Sequence, residues 1–340
     1  MRFLANGNLF KYEIIIKKGT LQNLFNYIDK TKKIFFVVDS KIDSNWFKKY
    51  LNDNNYLYYI DANENNKTLE KPLVILNLLF KAGFTKDDLI VSIGGGITSD
   101  ITGFVASLFK RGIKWINIPT TTLAMLDATV GGKTGVNYYE AKNQLGTIYF
   151  PSLVIIDVDT LKTLDKRNYN NGLCEAFKMG LTLDKSILDI FNKDTLNLEL
   201  LIKKCLKAKN KIVRQDINDT SLRHVLNFGH TFGHAFEMNS KGELLHGEAV
   251  MNGTLILSDE KVKPLMLSFM HKYQIPVVKN VPFESLVSYL NLDKKANEHG
   301  INVTYLNDIE DYSFLNLKIE DLKEIYERST NKWAQVLEKA

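Results

Sequence analysis

An α/β Rossmann-like N-terminal domain followed by an all-α C-terminal domain is the fold class this sequence predicts, with residues 1–165 in the first and 166–340 in the second. Three observations predict it. Up to about residue 160, short β-branched runs alternate with longer segments of helical period. Beyond that point the chain is a succession of long helical stretches. The 340 residues, 45% hydrophobic and 24% charged, suffice for two packed domains and exclude wholesale disorder or a coiled coil.

The runs IFFVVDS (34–40), LYYIDA (57–62), DLIVSIGGG (88–96), WINIPTTT (115–122) and SLVIIDVD (152–159) are apolar and end in Gly, Asp or Thr. Buried strands of a mostly parallel sheet read this way, with helices between them. KYEIIIKKG reads as an extra strand at the sheet edge. KTLEKPLVILNLLFKAG (67–83) spaces its apolar residues as a helix does and stops at Gly83. The second domain is built from GLCEAFKMGLTL, LNLELLIKKCLKAKNKIVRQ, RHVLNFGHTFGHAFEM, GEAVMNGTLILSDEKVKPLMLSFMHKY and LKIEDLKEIYERSTNKWAQVLEK. No repeat or low-complexity segment interrupts it.

Forty-four Lys and Arg against 39 Asp and Glu leave a formal charge of +5, which is mild. It suits small anionic substrates and lacks the dense basic stripe of a nucleic-acid binder. Cys174 and Cys205 cannot build a disulfide framework or a zinc finger and read as reduced thiols. The N-terminus has no long apolar core with a cleavage site, and nowhere does an apolar run approach about 20 residues. A soluble, cytoplasmic protein is expected.

Three features carry chemistry. SIGGGITSD (92–100) follows a predicted strand and opens a predicted helix, so its glycines let backbone N–H groups approach a pyrophosphate at the positive helix end. It is not the G-x-G-x-x-G fingerprint, and a tight strand-to-helix turn explains the same residues. His230 and His234 stand at i, i+4 in NFGHTFGHAFE, on one helical face, with His246 close behind. With a carboxylate from elsewhere, two imidazoles make an open divalent metal site. The pair also reads as polar decoration opposite a packed face of Phe228, Phe232 and Phe236. Glu175 is a candidate carboxylate because it interrupts the apolar GLCEAFKMG, a place that equally suits a helix-surface residue. Finally, LDATVGGKTGVN (126–137) and EAKNQLGTIYFP (140–151) read as a long polar loop. Asp127, Lys133, Lys142 and Asn143 are candidate ligand contacts there, although each lysine alone is as well explained by solvation.

These segments together resemble a known family. GGGITSDITGFVAS (94–107), IPTTTLAMLDATVGGKTGVN (118–137), AKNQLGTIYFP (141–151), GLCEAFKMG (172–180), RHVLNFGHTFGHAFE (223–237) and LHGEAVMNG (245–253), in this order, resemble the 3-dehydroquinate synthases across nearly the whole chain. The resemblance implies the dehydroquinate synthase-like fold and a zinc or cobalt ion on Glu175, His230 and His246. It makes His234 a substrate contact, where spacing alone selects the pair at i, i+4. NAD contacts are implied at Asp39, Glu64 and Lys67, at Gly95, Gly96 and Asp100 by the pyrophosphate, and at Thr120, Thr121, Lys133, Lys142 and the turn of Thr160, Leu161 and Thr163. Substrate contacts are implied at Asp127, Lys133, Asn143, Lys178, Lys209, Arg223, Asn227 and His234. Arg111 is implied to reach the phosphate in a neighbouring subunit of a homodimer, and a lysine of Asp293–Lys295 to add a late contact.

The reaction so implied belongs to the shikimate pathway of aromatic amino acid biosynthesis and releases phosphate from 3-deoxy-arabino-heptulosonate 7-phosphate. NAD oxidises C5, the C6 proton becomes acidic, and phosphate leaves by β-elimination with the substrate's own phosphate as base. The hydride then returns, the ring opens and an intramolecular aldol step closes the carbocycle. Two departures from the family pattern stand out. Asn63 replaces a Gly before Glu64, at a turn where Asn tolerates positive φ. The acidic run before the arginine is reduced to Asp216 and Asp219 in DINDTSLR (216–223). Arg223, Asn227 and His230 are spaced so that one helix can carry them along nearly the same face. A sister sugar-phosphate cyclase with a carboxylate-free substrate would leave the cations Arg223 and Lys209, with Asn227, unpaired. A glycerol-dehydrogenase-like oxidoreductase would need fewer anion-binding residues, and a non-catalytic binding protein would need a stronger charge pattern.

Overall fold

The structure is a computed structural model that describes all residues except 7–10, 53, 140, 292–295, 298–299 and 338–340. The chain divides into two compact units, Met1–Leu164 with Leu198–Asn210, and Asp165–Asn197 with Lys211–Ala340.

The first unit contains β1 (Arg2–Asn6), β2 (Lys11–Ile16), β3 (Ile34–Asp39), β4 (Asn55–Ile60), β5 (Leu89–Gly94), β6 (Lys114–Pro119), β7 (Lys133–Tyr138), β8 (Ala141–Ile148) and β9 (Leu153–Ile156). Seven of these form one sheet in the order β1-β2-β9-β6-β5-β3-β4, parallel throughout except for β1. Both faces are covered. On β3, Phe35 and Val37 enter a cluster with Ile75 and Leu79 of α1 (Glu70–Lys81) and Ile101 and Val105 of α2 (Gly96–Leu108). Ile34, Phe36 and Val38 enter the opposite cluster with Leu21, Leu24, Phe47 and Tyr50. This double burial is why the strands read as continuous apolar runs. From β3 the chain builds outward to β4 on one side and to β5 and β6 on the other, so the topological switch point lies between β3 and β5.

Two expectations change here. KYEIII is not the edge strand: β1 pairs antiparallel outside β2, and β2 pairs parallel with β9. The polar stretch 126–151 is not a loop. Ala124–Ala128 makes a π-helical turn, and β7 and β8 form an antiparallel hairpin in which Gly135 faces Gly146.

The second unit holds α3 (Lys166–Thr182), α4 (Leu188–Phe191), the end of α5 (Leu198–Gln215), α6 (His230–Asn239), α7 (His246–Ile256), α8 (Lys263–Lys272), α9 (Val287–Asn291) and α10 (Ile319–Leu337). It is helical as expected but not all-α. A small antiparallel sheet of β10 (Ala296–Asn297), β11 (Gly300–Asp308) and β12 (Asp311–Leu317) precedes α10. Ile301, Val303 and Leu306 of β11 are buried, a half-buried strand pattern that the flanking helical periods conceal. The single helix expected across Arg223, Asn227 and His230 is also broken. Arg223 and Asn227 lie in a 3-10 segment, Leu222–Asn227, and α6 begins at His230. Between them Gly229 takes φ +78°, where a Cβ would stand 2.5 Å from Thr254 Cγ2 of α7. The break gives α6 its own direction and closes it onto α7, where a Cβ on Gly253 would lie 2.0 Å from Gly229 O.

Candidate active site

Glu175 sits mid-way along α3 and is 2% exposed, so it is no surface residue. Its Oε2 pairs with Lys178 Nζ, one turn further on, at 2.6 Å, and Lys178 also donates to Leu226 O at 2.6 Å. Its Oε1 is buried with no hydrogen-bond partner. Facing that oxygen, at 3.8 Å each, are the Nε2 atoms of His230, which opens α6, and His246, which opens α7. These contacts are too long for hydrogen bonds, and an orphaned carboxylate oxygen is costly unless a cation takes the space. The outer nitrogens are already committed. His230 Nδ1 donates to Phe228 O at 3.3 Å, because a carbonyl only accepts, and His246 Nδ1 meets Glu237 Oε2 at 3.1 Å. That places the protons on Nδ1 and turns both Nε2 lone pairs toward Glu175. The three ligand atoms lie within 4.8 Å of one another, a two-nitrogen, one-oxygen set that could hold a divalent metal with positions left for substrate. Burial opposes a charge on His246, but Glu237 and then Glu175 outweigh it and raise its pKa.

The exposed His234 also joins this cluster, its ring centroid 5.2 Å from that of His230 and 5.8 Å from that of His246. Phe228, Phe232 and Phe236 are buried as well. The packed face and the histidine face are two sides of one segment. Glu237 escaped the sequence reading; its signal was a carboxylate two turns after His230 on the same helix.

Arg223 is buried, and its Nη1 donates to Ile217 O at 2.9 Å. Asp216 holds this loop. Its carboxylate accepts from the backbone N–H groups of Thr220, Ser221 and Arg223 at 2.9, 2.8 and 3.0 Å. Burial pushes its pKa up, but these bonds to Thr220, Arg223 and Ser221 more than offset it and hold the carboxyl well below the usual range. The shortened acidic run therefore keeps the residue that organises the turn, while Asp219 takes φ +60° within it. A depressed carboxyl stabilises the fold fully above its unfolded pKa, near 4, and loses that contribution as pH falls toward the folded value. Asp216→Asn should lower the thermal midpoint by about 5 °C at pH 7, for a loss of about 2 kcal/mol. The gap should hold constant down to about pH 5 and narrow below about pH 4. Calorimetry that finds the same gap at every pH would refute this role.

In the first unit several of the implied cofactor residues lie at or just beyond the carboxyl ends of the parallel strands, where ligands bind in open α/β sheets. Asp39 ends β3, and Gly95 and Gly96 follow β5, on the two sides of the switch point. The glycines serve close approach and not positive φ. A Cβ on Gly95 would stand 3.0 Å from Thr121 Cγ2, while Gly96 faces open space at the first turn of α2. Thr120 and Thr121 follow β6, and Thr120 N donates to Gly94 O. Buried Lys67 bridges Asp100 Oδ2 at 2.6 Å and Asn143 Oδ1 at 2.5 Å. Burial raises the pKa of Asp100 against the opposing charge of Lys67, and burial likewise raises that of Asp39. Glu64 accepts from Asn137 Nδ2 at 2.8 Å. Asn63 needs no positive φ: it is extended at −113° and caps the 3-10 turn by accepting from Asn66 N. Asp127, in the π-helical turn, takes Lys209 Nζ on Oδ1 at 2.7 Å and on its backbone oxygen at 2.9 Å. Thr160, Leu161 and Thr163 lie in the 3-10 segment after β9. Lys133 and Lys142 are exposed on the hairpin, and Arg111 is exposed at φ +63° between α2 and β6. Asp293–Lys295 lies outside the described residues.

A doubly wound sheet with a glycine turn at its switch point, followed by a helical unit presenting two imidazoles to a buried carboxylate, puts the chain in a fold class that it shares with solved synthases. 2-Epi-5-epi-valiolone synthase from Streptomyces hygroscopicus, solved with NAD+ and Zn2+, superposes with a TM-score of 0.85 at 25% identity, covering 95% of this chain and 98% of that one. A 2-deoxy-scyllo-inosose synthase shares the fold with a TM-score of 0.85 at 22% identity, over 97% of this chain and 100% of the other. Within the class, the family model for the 3-dehydroquinate synthase N-terminal part matches residues 57–171, and that for the C-terminal part matches 172–296. The 3-dehydroquinate synthase of Sulfurisphaera tokodaii is 35% identical over 345 aligned positions, 94% of this chain and 97% of that protein. The chain belongs to the 3-dehydroquinate synthase family. Among the described residues, no helix is long and apolar enough to cross a membrane.

Proposed function

We propose that the chain is a lyase that converts 3-deoxy-arabino-heptulosonate 7-phosphate to 3-dehydroquinate and phosphate, using NAD held by the first unit and one divalent ion, zinc or cobalt, held by Glu175, His230 and His246. The observation that carries this reading is the buried, partnerless Glu175 Oε1 facing two imidazole Nε2 atoms in a member of this family. When bound, NAD takes up and returns a hydride at C5, and the metal polarises the reacting hydroxyl as a Lewis acid.

The remaining work falls to the chain's own residues. Gly95 and Gly96 offer backbone N–H groups to the pyrophosphate, and Lys67 offsets the charge of Asp100 beside it. Asp39 and Glu64 accept from cofactor hydroxyls, while Thr120, Thr121, Lys133, Lys142 and the Thr160–Thr163 turn line the rest of the cofactor. Lys178 pairs with one oxygen of Glu175 and leaves the other turned toward the two imidazoles. Arg223 pairs with the substrate carboxylate, and Asn227 and His234 orient hydroxyls. Asp127 and Lys209 supply a fixed carboxylate and ammonium, and Asn143 a fixed amide. In the elimination, the C6 proton passes to the substrate's phosphate as the C–O bond to that phosphate breaks. We place the enzyme in a homodimer whose Arg111 serves the phosphate in the partner subunit.

Phosphate release from the heptulosonate phosphate should require both NAD and a divalent metal, with no net NADH formed. NADH that accumulates in step with product would point to a dehydrogenase. Absence of phosphate release by the loaded protein would defeat the proposal.

A further inference from the structure

The first turn of α7, which carries His246, is held by side chains from α3 that the proposed chemistry does not use. Arg167, Asn171 and Glu175 are spaced four apart on α3 and so share one face. Asn171 Oδ1 accepts from the backbone N–H of Gly247 at 2.7 Å and of Glu248 at 3.2 Å. The N-cap of α7 is Leu245, which has no side-chain acceptor, so Asn171 caps that helix from a neighbouring one. Arg167 clasps the 1% exposed Glu248 through Nε to Oε1 and Nη2 to Oε2, both at 2.7 Å. Glu248 Oε2 in turn accepts from Leu245 N at 2.9 Å. The two helices touch here without slack: a Cβ on Gly247 would stand 2.1 Å from Asn171 O.

We propose that Asn171 and the Arg167–Glu248 pair are positioning residues that fix the metal ligand His246 against the metal ligand Glu175. This rests on the metal site proposed above. The lever is short. Asn171 is one turn from Glu175 on α3, and Gly247 and Glu248 are one and two residues from His246 on α7. A carboxylate oxygen and an imidazole nitrogen must be held within a few tenths of an ångström to share an ion. A bidentate ion pair plus a two-donor cap sets that distance before the metal arrives. Outer partners of metal ligands typically change affinity by about 10–100-fold when removed.

The test is zinc titration of metal-stripped full-length protein against a chromophoric chelator, beside thermal melts with and without zinc. Asn171→Leu keeps the volume and removes the acceptor; it should weaken zinc binding by about 10–100-fold. Asn171→Asp keeps the acceptor oxygen and should bind within about threefold of the parent, and Arg167→Lys, which keeps charge but loses the fork, should fall between. The melting deficit of Asn171→Leu should be larger with zinc than without it, because weakened binding adds to the loss only in the loaded protein. A purely structural role would give equal deficits and an unchanged zinc constant, and that result overturns the inference. If Asn171→Leu does not fold, Glu248→Gln and Arg167→Lys decide, and zinc constants within about threefold of the parent in both overturn it. A parent that binds no zinc overturns the metal site itself.

Discussion

His246→Ala loses bound metal and turnover together, with kcat falling by about 10³-fold or more, or about 4 kcal/mol of transition-state stabilisation. The size follows from what remains after truncation. Glu175 Oε1 would face one imidazole instead of two, in a pocket whose other carboxylate oxygen is committed to Lys178. Two donors seldom hold a catalytic divalent ion tightly at neutral pH. Glu175→Gln should be as severe, because it removes the only anionic ligand and leaves the buried Lys178 ammonium without its counter-charge. NAD affinity should hardly move, since the proposed cofactor contacts all lie in the other unit. Metal analysis of the purified variants beside phosphate-release kinetics checks this. A His246→Ala protein with full metal content and full activity would remove this histidine from the ligand set.

Most of the sheet was legible because burial on both faces leaves no alternation to misread: the runs at 34–40, 88–96 and 115–122 each match a strand to within a residue at its start. The hairpin of β7 and β8 was not, because its buried residues Thr134, Gly135 and Val136 lack the bulk that strand signals expect, and because glycines and lysines are what loops are made of. The site divides in the same way. Spacing found His230 and His234, since i, i+4 is a local relation, but it could not find the Glu175–His230–His246 set, which depends on how α3, α6 and α7 meet. Resemblance supplied that set. Neither route pointed to Asn171, whose role is to cap a helix 76 residues away and leaves no periodic trace.

Arg223→Ala should lower kcat/KM for the heptulosonate phosphate by about 30-fold or more, the equivalent of about 2 kcal/mol. An arginine at this depth, 3% exposed, is not a surface ion pair of negligible worth. It is the backbone N–H of Arg223 that binds the Asp216 carboxylate, while the guanidinium Nη1 is steadied by Ile217 O. Such an arrangement orients a planar fork, and a fork suits a carboxylate through two parallel bonds. Arg223→Lys should therefore recover only part of the loss, because an ammonium restores the charge without the fork. The backbone bond to Asp216 survives both substitutions, so the turn and the metal content should stay intact. Against a sugar phosphate without a carboxylate, neither substitution should cost activity in the same measure. If Arg223→Ala keeps near-parental kcat/KM on the acid substrate, the carboxylate has no partner at this position, and a carboxylate-free sugar phosphate becomes the better candidate.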